Sequence, residues 1–207
     1  TGDYLSTPDS SDWEFGSGDF TLEAWVYHDD ATNVRHDAII GQNPVGDGSE
    51  WWFKIYQNKL SFAYGATYPP TTIDTSSTVI TANTWQHVAA VRDGSTFRMY
   101  VDGTQVHSSS AFSIPNISDI LTIGAVRHNS NGYGFKGFMD EIRVSNNCRY
   151  PGGTTFTPST TAFASDANTK LLIHSDGFDG GLGADSSGNK NDFDITNITV
   201  YDQVIDS

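Results

Sequence analysis

One cysteine, Cys148, is all that this 207-residue chain contains, so an internal disulfide is ruled out and the redox compartment goes unread. Basic residues are scarce too, 11 Lys and Arg against 25 Asp and Glu, for a formal net charge of −14. Without a basic stripe to neutralise phosphates, nucleic acid is excluded as a partner. Glutamate is scarcer still: Glu14, Glu23, Glu50 and Glu141 are the full set, so the acidity is nearly all aspartate. No run of about 18 apolar residues occurs and no signal peptide is visible, so membrane insertion is not expected. Stretches rich in Ala, Leu, Glu and Lys are almost absent.

What remains is 20 Gly, 7 Pro and 13% aromatic residues, the composition of an all-β protein with many turns. The length suits one β-sandwich with a full core, plus an appendage. Aspartate in excess suits turns and hard-cation ligation, with solvated loop carboxylates as the plainer reading. Beginning at Thr1 and ending in Val-Ile-Asp-Ser, the chain reads as a piece of a longer polypeptide.

The chain is organised around residues 85–103. Two β-rich runs, 85–91 and 97–101, flank Asp93-Gly94-Ser95, and a second turn, Asp102-Gly103, leads into 104–107. That is a three-strand meander with Asp-Gly at both corners, where positive φ is tolerated. Phe97, Met99 and Val101 share one face, as in a half-buried strand. Val88-Ala89-Ala90-Val91 is apolar throughout, which places that strand centrally. Earlier, 51–56 and 60–64 form a hairpin through Gln57-Asn58-Lys59. If Phe53 and Ile55 face the core then Trp51 does too, and Trp52, Lys54 and Tyr56 point the other way.

Trp-x-His-Val-Ala-x-Val-Arg-Asp-Gly from Trp85, followed by Met-Tyr-Val-Asp-Gly from Met99, resembles the centre of a laminin-G-like (concanavalin A-like, pentraxin-related) jelly roll. Phe20-Thr21-Leu22-Glu23-Ala24-Trp25-Val26-Tyr27 resembles its early strand. Leu121-Thr122-Ile123-Gly124 and Phe135 to Val144 resemble its closing strands. The opening Gly2-Asp3-Tyr4-Leu5-Ser6-Thr7-Pro8 is similar to that of such modules in bacteriophage tail fibres and other virion structural proteins. The resemblance implies an antiparallel β-sandwich jelly roll over residues 1–145, then an extended connection, 146–169. Residues 170–207 form a C-terminal arm. In it Lys170-Leu171-Leu172-Ile173-His174-Ser175-Asp176-Gly177 and Asp185-Ser186-Ser187-Gly188-Asn189 resemble the segment that ordinarily leads into such modules. It can fold back on the sandwich, pair with a neighbouring subunit or begin a second module; an open sheet edge favours folding back.

Catalysis finds little support. Glycosidases of related fold carry Glu-x-Asp-x-x-Glu along one strand, and nothing here matches. Asp140-Glu141 are strand neighbours and so point to opposite faces. The six histidines lack metal-binding spacing, and one Gly180–Asp185 match to a calcium β-roll repeat is a chance match, since that architecture needs stacked copies. The resemblance does imply a structural Ca²⁺, with Asp140 on the closing strand and carbonyls near Gly41 as ligands. Asp29, Asp30, Asp37, Asp47 and Asn129 form a weaker set on the rim loops.

For binding, Trp52 and Tyr56 on the outward face, with Tyr64, Tyr68 and Tyr133 near loops, can form a platform on which sugar rings stack. Packing against the C-terminal extension or a neighbouring subunit is the alternative. By resemblance the expected role is a non-enzymatic virion-surface module, in a tail fibre, spike or capsid appendage, that recognises host-surface carbohydrate. A purely structural virion subunit, homo-oligomeric and bound to its neighbours by sheet face and arm, is the alternative. A secreted or bacterial cell-surface adhesin is the third reading.

Overall fold

The computed structural model describes residues 3–29, 35–43, 49–126, 133–153, 155–175 and 183–196. These comprise β1 (Tyr4–Thr7), β2 (Phe20–His28), β3 (His36–Gln42), β4 (Glu50–Tyr56), β5 (Lys59–Gly65) and β6 (Thr71–Asp74). The central meander follows as β7 (Trp85–Asp93), β8 (Thr96–Val101) and β9 (Thr104–Ser110). Then come β10 (Leu121–Ile123), β11 (Gly137–Ser145), β12 (Thr169–Ile173) and β13 (Asp194–Thr196). Sheet A has the order β13-β1-β10-β3-β4-β5-β6 and sheet B the order β12-β11-β2-β7-β8-β9. The two antiparallel sheets make the jelly-roll sandwich that the sequence leads one to expect.

The hairpin corners follow from residue type. Gln57 and Asn58 have φ of 54° and 55°, and Asp102 and Gly103 have φ of 48° and 73°. Two-residue loops with positive φ at both positions match the right-handed strand twist, and Asn, Asp and Gly accept that conformation most readily. Period-2 alternation then sorts the side chains. Trp51, Phe53, Ile55, Leu60, Phe62, Phe20, Leu22 and Phe97 are fully buried between the sheets, each contributing roughly 1.5–3 kcal/mol of transfer free energy.

β7 is apolar on both faces because both are covered. Val88 and Ala90 join the central core. Ala89 and Val91 face outward with Tyr100, under Cys148, Tyr150 and Phe156. Residues 146–166 thus lie as a strap across the outer face of sheet B, anchored by polar groups. Tyr150 Oη donates to Glu23 Oε2 at 2.5 Å, and His87 Nε2 meets the same oxygen at 3.0 Å. Arg143 donates to Glu23 Oε1 from Nε at 2.8 Å and approaches it through Nη2 at 2.7 Å. Burial alone would raise the Glu23 pKa; the His87 hydrogen bond and the Arg143 charge outweigh it and hold it below the usual range. Arg149 grips Asp166 through both Nη atoms at 3.1 and 2.9 Å.

Residues 169–196 supply one strand to each sheet: β12 pairs with β11, and β13 with β1. Their connection is knotted by Asp185, whose carboxylate accepts from the backbone N–H groups of Leu172, Ser187 and Asn191.

Candidate functional site

The outer face of sheet A carries a different finish. From β3 it presents His36 and Ala38, from β4 Glu50, Trp52, Lys54 and Tyr56, and from β5 Ala63. The ladder neighbours of Trp52 are small. It pairs with Gly41 on one side and Ala63 on the other. A Cβ on Gly41 would fall 2.4 Å from the Trp52 Cβ, so only glycine fits beside the indole. Trp52, Ala38, Ala63 and Val126 form a small cluster of their own, with Tyr133 packed against it.

Above this floor the rings assemble. Tyr56 stacks on His36 at 4.1 Å between centroids and 21° between planes. Tyr133 stacks on the same imidazole at 5.4 Å and 15° and meets Trp52 edge-on at 5.9 Å. The Tyr133 carbonyl also accepts from the Ala38 N–H, which ties that segment to β3. Lys54 Nζ sits 3.7 Å from the Trp52 ring centre, a cation–π contact at short range. Trp52 Nε1 donates to Glu50 Oε1 at 2.9 Å, and Asn43 Nδ2 donates to Glu50 Oε2. Burial lowers the Lys54 pKa to about 8, against the opposing pull of Asp74 and Glu50. Burial and the Lys54 charge lower that of His36 to about 4, so its imidazole is neutral at physiological pH.

Trp52, Tyr56 and Tyr133 therefore converge, with one correction. Trp52 does point outward, yet it is only 5% exposed; it is the floor of the cluster, and the half-buried Tyr56, His36 and Tyr133 are its accessible part. Tyr64 is not part of this face. It sits opposite Trp51 in the ladder, on the core-facing side, and stacks on Phe112 at 3.8 Å and 9°. Tyr68 is 81% exposed beyond the Gly65 end of β5, whereas Tyr56 lies at the Lys59 end. Across seven-residue strands that separation is roughly 20 Å. The outward direction of Lys54 was expected, whereas the places of His36 and Glu50 were not. Their only sequence signal is even spacing with Ala38 and Trp52, along strands whose pairing sequence cannot reveal.

The two residues expected to ligate calcium, Asp140 and Gly41, lie on different sheets. Gly41 lies within sheet A, its carbonyl accepting from Thr122 Oγ1 at 3.2 Å. Asp140 lies on sheet B opposite Trp25, and its Oδ1 accepts from the Glu141 N–H at 2.7 Å. Alternation with the core-packed Met139 turns the carboxylate away from sheet A. Among the described residues no group of three or more His, Cys, Asp or Glu could hold a metal. Of the rim set, Asp37 is buried against His28 Nε2 at 2.6 Å and Asp29 is exposed; Asp30, Asp47 and Asn129 lie outside the described residues.

The fold is similar to the CBM40 of the Ruminococcus gnavus IT-sialidase, solved with α2,3-sialyllactose: 12% identity, TM-score 0.54, covering 72% of this chain and 89% of that one. It is similar also to the binding domain of botulinum neurotoxin serotype G, at 12% identity and TM-score 0.51, over 70% of this chain and 37% of that one. For the binding domain of Paraclostridial Mosquitocidal Protein 1 the values are 16%, 0.50, 70% and 38%. This chain thus covers well under half the length of those toxin domains. Likeness at such identities shows the fold alone, and no curated protein matches. Residues 1–152 match the laminin-G model described as the Concanavalin A-like lectin/glucanases superfamily, and the chain belongs to that superfamily.

Proposed function

We propose that this protein is a non-enzymatic carbohydrate-binding module that takes a glycan on the outer face of sheet A, over Tyr56, His36 and Tyr133. The observation that carries this reading is the stack itself: two half-buried tyrosines on a neutral imidazole, above a buried indole, with no strap over them among the described residues. Aromatic faces take the apolar C–H side of a sugar ring, and Tyr56 Oη, which accepts from Gln57 Nε2 at 3.4 Å, keeps its own proton to donate to the polar edge. The R. gnavus module, of the same fold, holds sialyllactose, which supports carbohydrate as the ligand class.

A non-catalytic role fits how the glutamates are used. Glu23 is enclosed by His87, Tyr150 and Arg143. Glu50 is held by Trp52 and Asn43. Glu141 accepts from the Phe163 N–H and pairs with His174. Within this proposal the module stands on a virion surface, in a tail fibre, spike or capsid appendage, and meets host carbohydrate there.

The test is glycan-array screening followed by calorimetry on wild type, Tyr56→Ala and Tyr133→Ala. Binding that weakens about tenfold or more in each variant, with unfolding midpoints retained, supports the reading. No glycan bound, or variants that bind as wild type does, overturns it.

A further inference from the structure

The strap on sheet B stops short. It reaches Trp25, whose Nε1 donates to the Ser159 carbonyl at 3.2 Å. Two residue pairs further along the ladder, Phe138, Tyr27 and Trp85 stand opposite one another on β11, β2 and β7. Their rings form a continuous row: Tyr27 meets Phe138 at 5.9 Å and Trp85 at 5.8 Å. Phe138 is 45% exposed, and Tyr27 and Trp85 are half-buried. Gly137 lets β11 press this close, since a Cβ there would fall 1.8 Å from the Tyr27 carbonyl oxygen. No ring of the row belongs to the cluster on sheet A.

From this geometry we infer that the Phe138–Tyr27–Trp85 row is a second carbohydrate subsite, on the opposite face of the sandwich, for a neutral oligosaccharide. Area decides against a protein partner. An aromatic side chain offers roughly 150–250 Å² in all, and three rings already half covered leave on the order of 300 Å². A stable protein interface takes about 800 Å² per partner. Chemistry decides against a purely apolar ligand. Within the row, Tyr27 carries a hydroxyl and Trp85 an indole N–H. Sugar hydroxyls pair with such groups, whereas an apolar ligand would bury them unpaired. Charge selects the neutral class. The chain carries a net charge of −14, and among the described residues Asp29 and Asp140 outnumber Lys136 along this edge, so sialylated or sulfated chains are repelled. Rings spanning three strands fit a chain of several sugar units better than one monosaccharide.

The subsite stands independently of the one on sheet A, and the experiment separates them. Wild type, Phe138→Ala, Trp85→Ala, Tyr56→Ala and an otherwise wild-type Tyr27→Phe control are titrated with maltohexaose, cellohexaose, chitohexaose and 3′-sialyllactose. The Trp85 indole N–H signal in NMR and calorimetry give the readouts. Expected is saturable perturbation of that signal by a neutral hexasaccharide. Its affinity falls about tenfold in Phe138→Ala and Trp85→Ala, stays near wild type in Tyr56→Ala, and falls little in Tyr27→Phe, which preserves the ring. Four results overturn the inference: no neutral hexasaccharide perturbing Trp85, unchanged affinity in Phe138→Ala, 3′-sialyllactose binding at this row as tightly as the neutral sugars, or self-association that Phe138→Ala abolishes. Loss of binding in Tyr56→Ala at the sheet A face leaves this row's titration unaffected, so each subsite fails or stands separately.

Discussion

The outer faces of the two sheets start from similar material and end differently. Both carry outward-pointing aromatic residues on central strands and a buried glutamate that holds its neighbours, Glu23 on sheet B and Glu50 on sheet A. On sheet B most of that material is sealed under residues 146–166, and Glu23 is satisfied by a tyrosine, a histidine and an arginine. On sheet A the buried glutamate, Glu50, serves Trp52 and Asn43, and the rings above lie half-buried without a strap among the described residues. The polar group under the strap holds the chain together. The polar groups beneath the open cluster orient a surface.

The sharpest way to break that contrast is Glu23→Ala. Removing one partner from a buried ion-pair network leaves Arg143 and His87 uncompensated and costs about 3–5 kcal/mol. Urea unfolding should show that loss, and the double variant Glu23→Met, Arg143→Met should recover much of it. A result near zero for Glu23→Ala would mean that the strap is held by its apolar contacts and its other polar anchors, such as Arg149 with Asp166. A smaller effect is expected on sheet A from acid. His36 is held near 4 against an ordinary 6.5, so the unfolded chain binds a proton in that window that the folded chain does not. Stability therefore falls as pH drops from about 6.5 towards 4. Unfolding midpoints across that range should lose part of this slope in His36→Phe. The smallest effect is expected at Asp140. After EDTA treatment, any thermal shift that Ca²⁺ produces should be the same in wild type and Asp140→Ala; a shift that Asp140→Ala abolishes would restore the carboxylate as a calcium ligand.

Much of the architecture was legible because it rests on local chemistry. Asp102-Gly103 and Gln57-Asn58 announce tight turns, and the unbroken Val88–Val91 run announces a strand covered on both sides. The outward direction of Trp52 and Tyr56 follows from parity with Phe53. What stayed hidden depends on pairing. Tyr64 looks like a loop-side platform residue until the ladder sets it opposite Trp51, which turns it inward. His36 becomes part of the cluster only because β3 pairs with β4, and Phe138, Tyr27 and Trp85 are far apart in sequence and adjacent only across strands. Trp52 shows the limit of parity: direction can be read from alternation, but exposure depends on what lies above, and Tyr133 arrives from a distant segment. Of the C-terminal arm, open among three arrangements in sequence, β12 pairs with β11 and β13 with β1, while residues 176–182 and 197–207 lie outside the described residues.

Those two edges set a timetable for folding. Leu5 must wait for Ile123 before β1 gains its first neighbour and for Ile195 before it gains the second, while Val144 waits for Leu171. Contacts so distant along the chain put folding in the slow regime of β-proteins, roughly milliseconds to seconds. Within this stretch β1 is therefore made well before β10, its first partner. In that interval β1 and the open edge of β11, whose other edge pairs with β2, are the segments most open to wrong pairing between nascent chains, and β12 and β13 close those edges.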